Sequence, residues 1–313
     1  MSSIRASVAG SGRWARAALH HHRSLALGAA LTAALIATVL GSFVYTPGDP
    51  LLMDIGARLA APSIAHPFGT DHYGRDLLAR VIRGARPSLA VGAVSVGLAL
   101  GLGVVVGTVG GYLGGWTDEA LMRLMDAVYG FPAILSALLV TAVFGPGLFM
   151  SMIAVGIASV PVFARLTRAS IMALTGQEFV VAARALGAGD AAIVARHLLP
   201  NTLSPLVVQA TISVPMAILA EAALAYLGLG TQPPLPSWGL MLREAQNFLA
   251  QAPWFAIFPG AAIALAVLGF NLLGDGLRDA LDPRGGGLAR RASARAPSAS
   301  AGRAGGSPRR RGR

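Results

Sequence analysis

Residues 127–164 read AVYGFPAILSALLVTAVFGPGLFMSMIAVGIASVPVFA, 38 consecutive positions without a charged side chain. As one helix this run would be about 57 Å long at 1.5 Å per residue, far more than the ~30 Å hydrocarbon layer of a bilayer. The chain must therefore fold back within it. Gly145-Pro146-Gly147 is the turn, because Pro146 lacks an amide donor and the flanking glycines tolerate positive φ. The run thus predicts two membrane helices, 121–144 and 148–166.

Working outward, four more spans follow by the same length criterion. Residues 25–45 form the first, too long for a signal-peptide apolar region and followed by no Ala-x-Ala site, so an uncleaved anchor is expected. Leu89 to Leu113 forms the second, with Gly and Ala positions that permit close helix contact in lipid. Leu203 to Gly228 forms the fifth, ended by Gly230-Thr231-Gln232-Pro233-Pro234, and Trp254 to Gly274 the sixth, with Trp254 and Phe255 suited to the membrane interface. The fold class is an all-α integral membrane protein of six transmembrane helices. Residues 1–24 are then an amino-terminal tail, 46–87 an extracytoplasmic loop, 88–277 a five-helix core and 284–313 a disordered basic tail.

Charge orients this arrangement. All 25 basic residues are Arg. With both termini in the cytoplasm, 19 of them lie inside and 6 outside, as the positive-inside rule requires. The Arg309-Arg310-Arg311 cluster fits a solvated juxtamembrane tail, and no nucleic-acid partner is expected. His20, His21 and His22 read as a headgroup-level flank of the first span.

Composition excludes several chemistries. The chain is 54% hydrophobic and 12% charged, more apolar than one soluble core with a hydrated surface needs. Without Lys there is no Walker A site, because that loop places a Lys on the nucleotide phosphates. Without Cys there is no thiolate nucleophile, disulfide or Cys-ligated metal. His66, Asp71 and His72 match no compact metal-ligand spacing, and no metal site, general acid, base or nucleophile is assigned. Glu221 is the one charged residue away from the cytoplasmic ends of the predicted spans and falls near the outer interface. It is a possible outer-side polar site, contacting solute or paired with an outer-loop Arg or backbone amides.

The segment 165–202 is too amphipathic for a linker. Glu178 to Leu186 predicts a short helix with Phe179, Ala182, Ala183 and Leu186 on one face, Gly187 and Gly189 permit a sharp turn, and Asp190 can cap a second helix. Pro200 would end that helix and Asn201 cap the fifth span. Two readings of this helix pair stay open: a docking site for a partner, or an amphipathic pair lying flat in the headgroups.

Ala182-Ala183, Gly187, His197 and Leu199-Pro200 are spaced as in the "EAA" loop, and the chain resembles the permeases of binding-protein-dependent ABC importers. Val181 stands where that pattern has Glu, and His197 where it has an aliphatic residue. Two stretches resemble the dipeptide/oligopeptide/nickel C-type branch: His66-Pro67-Phe68-Gly69-Thr70-Asp71 through Gly84-Ala85-Arg86, and Tyr226-Leu227-Gly228-Leu229-Gly230 through Trp238-Gly239. The resemblance implies half of a pathway for short peptides or a related small solute in the bacterial cytoplasmic (inner) membrane. It also implies a second permease, two cytosolic ATPases that use ATP and Mg, and an extracytoplasmic solute-binding protein. The chain itself would bind no cofactor. Val181, Ala182, Ala183, Arg184, Gly187, Asp190, His197, Leu199 and Pro200 would form the ATPase-coupling loop, with the helix around Ala182 to Gly187 seated in a groove of the motor. The rival readings are a secondary transporter or a channel without an ATPase; only Glu221 is charged away from the cytoplasmic ends of the spans, and no internal repeat is evident.

Overall fold

The computed structural model describes residues 3–281 and is helical throughout, with no named strand among them. The basic tail 284–313 lies outside the described residues. Ten helices follow in order: α1 (Ser3–Val44), α2 (Leu77–Leu113), α3 (Gly115–Tyr129), α4 (Ala133–Phe144), α5 (Leu148–Thr175), α6 (Glu178–Ala185), α7 (Asp190–Ile193), α8 (Leu199–Tyr226), α9 (Trp238–Ala245) and α10 (Trp254–Leu281). Five helical stretches are long and apolar enough to cross a membrane, those of α1, α2, α5, α7–α8 and α10, or six if the bent pair α3–α4 counts as one.

The bend corrects the expected single helix over 121–144. Helices α3 and α4 meet at 86° across Gly130 to Pro132. Pro132 has no amide to donate and pushes Phe131 out of helical geometry, so the helix cannot run through. Helix α4 alone, 12 residues, is about 18 Å long, short of a full crossing. Gly145 (φ 93°) and Gly147 reverse the chain into α5 where the turn was expected.

Three helices outrun their uncharged cores. Helix α1 begins at Ser3, so most of the expected 1–24 tail is helical; 24–44 is its uncharged section. Helix α2 begins at Leu77 rather than near 89 and includes Arg80, Arg83 and Arg86. Helix α5 continues beyond Arg165 and Arg168 to Thr175. Several of the extra charges have partners on other elements. Arg168 clamps Asp118 of α3 through Nε and an Nη, both at 2.5 Å, and Arg165 reaches Asp126 at 2.8 Å. Arg86 donates from Nε to Ser42 Oγ (2.7 Å) and from an Nη to the Ser42 carbonyl, and lies 3.9 Å from the Phe43 ring centroid. That carbonyl is in the last turn of α1, which has no basic residue of its own, so a guanidinium from α2 supplies the cation the helix dipole favours there.

Glycines set the closest helix contact. Gly103, Gly107 and Gly111 of α2 face α5: a Cβ on Gly107 would stand 2.3 Å from the Ala164 carbonyl oxygen and 2.7 Å from Thr167 Cβ. At Gly103 it would meet Phe163 at 2.4 Å, and at Gly111 the Arg168 carbonyl at 2.9 Å. Small residues repeating at four-residue intervals let two backbones approach in lipid, where dispersion rather than water release joins helices. Helix α1 docks on α10 similarly, Gly28 against Leu272–Leu273 and Gly276 against Leu25. Helix α8 packs between α2, α5 and α10, completing a core that includes Ala99, Phe163, Ala164 and Leu224.

Gly107→Ile is expected to destabilise the chain by about 1–3 kcal/mol through overpacking, read as a lower thermal midpoint in detergent. Gly97→Ile, on the same helix with nothing within 4 Å of its Cβ position, should leave the midpoint unchanged. Equal midpoints for the two variants would show that the α2–α5 seam is not close-packed.

Candidate functional site

Beyond the end of α5 the chain turns through Gly176 and Gln177 into α6, which lies against the bundle by one side only. Val180 is buried with Ile171, Ile193 and Leu198, and Ala183 and Ala188 pack at the edge of that cluster. The opposite side is bare: Phe179, Ala182 and Leu186 are exposed at i, i+3 and i+7, Val181 is 60% exposed and Leu186 89%. Such a stripe at helical spacing is the surface a partner groove would cover.

Gly187 ends α6. At φ 85° it occupies the left-handed region, its amide donates to the Arg184 carbonyl (3.0 Å) and the Ala188 amide to the Ala183 carbonyl (3.1 Å). No atom lies within 4 Å of a Cβ built there, so the constraint is backbone conformation and not space.

Asp190 was expected to cap the next helix. Gly189 takes that position instead, and Asp190, first residue of α7, accepts a hydrogen bond from the Tyr112 hydroxyl at 2.5 Å. Arg184 donates to the same hydroxyl (3.2 Å) and lies 3.8 Å from the Asp190 carboxylate. Arg184 and Asp190, predicted separately, thus meet at a tyrosine on α2 that no sequence motif singled out.

Pro200 does not terminate the helix. Residues Val194–Leu198 form a π-helical turn that joins α7 to α8, with the Leu199 amide bonded to the Val194 carbonyl. The wider turn absorbs a proline that has no amide and would crowd the carbonyl four residues back. Leu199 and Pro200 open α8, and Asn201 donates through Nδ2 to the carbonyl of His197 (2.6 Å) rather than capping the span. His197 itself lies half-buried in the π turn.

At the other end of the bundle, Glu221 is fully buried on α8. It accepts from Ser88 of α2 (3.4 Å) and Thr231 of the following loop (3.3 Å). These hydroxyl partners replace the expected Arg or backbone amides. The loop motif around His66 serves packing: Asp76 caps α2 by accepting from the Ala79 amide (2.8 Å), His66 Nδ1 lies 2.9 Å from Asp76, and Phe68 stacks on Phe258 of α10 at 3.9 Å between centroids. Asp71 holds Arg75 at 2.5 Å, and Glu244 binds Arg75 (3.3 Å) and Arg80 (2.8 Å). Asp71, His72 and Glu244 stand within metal-ligand distance of one another, but guanidinium groups already engage both carboxylates. Glu244 lies on α9, a short helix between the fifth and sixth expected spans; Ser237 caps it by accepting from the Leu240 amide (3.3 Å).

His72 is wedged against Phe248 and Phe255. Burial lowers its pKa below the ordinary 6.5, although Asp71 and Glu244 pull it upward. Above that value the ring is neutral in both folded and unfolded chains. Below it the unfolded chain takes the proton first, so stability is lost as pH falls from about 6.5 towards the lowered folded value. Thermal midpoints measured on either side of that pH should drop on acidification, and the drop should shrink in His72→Gln; an identical drop in the variant would assign it to other groups.

Several helices long and apolar enough to cross a membrane, with a short helix at one end whose apolar face the described residues leave uncovered, define an all-helical membrane protein. Residues 99–285 match the family described as "Binding-protein-dependent transport system inner membrane component". The chain is 46% identical over 251 residues to the dipeptide transport system permease protein DppC of Alkalihalophilus pseudofirmus, covering 80% of this chain and 81% of that protein. It is 52% identical over 223 residues to the glutathione transport system permease protein GsiD of Shigella flexneri serotype 5b, covering 71% and 74%. A chain of the MetNI methionine ABC transporter, in an inward-facing conformation, shares the fold with a TM-score of 0.53 at 20% identity, covering 65% of this chain and 96% of that one. The chain belongs to the family of binding-protein-dependent transport system inner membrane components. It is a permease subunit of an ABC importer, of the dipeptide/oligopeptide C-type branch.

Proposed function

We propose that this permease carries short peptides, dipeptides or a tripeptide such as glutathione, across the bacterial cytoplasmic membrane. It would pair with a second permease, receive solute from an extracytoplasmic binding protein, and be driven by two cytosolic ATPases that use ATP and Mg. Its termini are cytoplasmic and the α3–α4 pair counts as one of six crossings. The names of the relatives support the cargo, and the Arg asymmetry supports the orientation.

The observation that carries the coupling role is the bare stripe Phe179, Ala182, Leu186 on a helix anchored only by its opposite side. A helix with one apolar face free is built to lie in a groove, and closure of the ATPases would move it as a rigid lever. Val181, at the position of the family's Glu, points outward with them. Glu221 is buried behind two hydroxyl donors and takes no part in solute contact under this reading; it ties α2 and α8 to the outer loop.

Uptake of labelled dipeptide or glutathione into proteoliposomes holding the whole assembly is expected to require ATP, both ATPases and the binding protein. Uptake that persists without the ATPases would overturn the proposal. Gly187→Val forces a β-branched residue into the left-handed region, costing about 1–3 kcal/mol at the hinge. It should reduce both uptake and peptide-stimulated ATP hydrolysis while membrane insertion is retained; unchanged uptake would remove the hinge from the mechanism.

A further inference from the structure

The α6–α7 hinge touches the rest of the bundle in two ways. One is the apolar cluster of Val180, Ile193 and Leu198 on Ile171, which holds the hinge to α5. The other is polar and reaches a different helix: Tyr112, in the last turn of α2, inserts its hydroxyl between Arg184 at the end of α6 and Asp190 at the start of α7. The phenol oxygen accepts one hydrogen bond from the guanidinium and donates one to the carboxylate. Its ring packs on the edge of the Val180 cluster. Arg184 and Asp190 are themselves 3.8 Å apart, beyond a direct hydrogen bond, so the hydroxyl completes their link.

We propose that Tyr112 is a positioning residue for coupling: its hydroxyl holds both sides of the Gly187 hinge at once and fastens them to α2, so that movement of α6 is delivered to the α2–α5 pair as a unit. This rests on the reading of α6 as the helix gripped by the ATPase. Three properties of the contact carry it. It straddles the hinge, one partner on each side of the left-handed residue. It ends on α2, whose glycine seam fixes it to α5 by close backbone approach. It joins charged groups through a neutral hydroxyl, giving two directional bonds of fixed geometry at a solvent-exposed site where a bare ion pair contributes little.

The test uses the complete transporter in proteoliposomes, with labelled dipeptide, measuring uptake and ATP hydrolysis in the same preparation. Tyr112→Phe keeps the ring and removes only the hydroxyl. Uptake per ATP hydrolysed is expected to fall about three- to tenfold, the order for losing one ordinary hydrogen bond at an exposed site, while the ATPases still co-purify. Asp190→Ala should give the same loss, and the double variant should be no worse than either single one, as residues acting through one link require. A structural role alone would lower protein yield and leave the ratio intact. Wild-type stoichiometry in Tyr112→Phe, or additive losses in the double variant, would overturn the proposal. A separate arm isolates the underlying reading: the chain has no cysteine, so Ala182→Cys gives a unique thiol for cross-linking to the ATPase. No cross-link would sink the docking of α6 itself; a cross-link together with normal coupling in Tyr112→Phe would sink the tyrosine link alone.

Discussion

The α2–α5 seam is the contact on which the bundle depends. In lipid, helices gain nothing by hiding apolar surface from one another, so they associate where their backbones come close enough for dense dispersion contact. Gly103, Gly107 and Gly111 supply that approach along three successive turns, and Phe163, Ala164, Thr167 and Arg168 fill the space left by the missing side chains. Because the seam ends at Gly111, the very next residue, Tyr112, emerges beside the hinge of the exposed helix. A close-packed seam and an exposed helix are thus neighbours in space.

Several charges within the helices are matched by a group on another element, and each such match fixes a position. Asp118 and Asp126 pin α3 to α5 through Arg168 and Arg165. Arg86 finishes α1, and Arg80 reaches Glu244 of α9. The family model matches the chain from Ala99, so α1 and the loop before α2 lie outside that matched segment. These parts are held by cross-links of another kind: Arg86 on Ser42, Phe68 on Phe258, and the Asp71–Arg75–Glu244 ion pairs.

Much of this was legible from uncharged runs alone, because the length of lipid a helix must cross is a physical constant. The reversal at Gly145 and Gly147, the short helix from Glu178, and the turn at Gly187 all stand where turn chemistry put them. Helix boundaries failed where charge was taken as the edge of the membrane segment: Arg165 and Arg80 lie inside helices because acids distant in sequence neutralise them. Pro132 and Pro200 show the complementary lesson. One breaks a helix at 86°, the other is accommodated by a π turn, and which occurs depends on packing that local sequence does not encode. Tyr112 escaped notice because its partners lie 72 and 78 positions away, and no spacing rule links them.

The bare face of α6 has a consequence for how the protein must be made. Leu186 and Val181 are exposed, with none of the described residues folded over them. A copy synthesised in excess of its companions would remain sticky and prone to clumping or removal by cellular quality control. Under the proposed assembly, production matched to that of its companions would keep this helix covered.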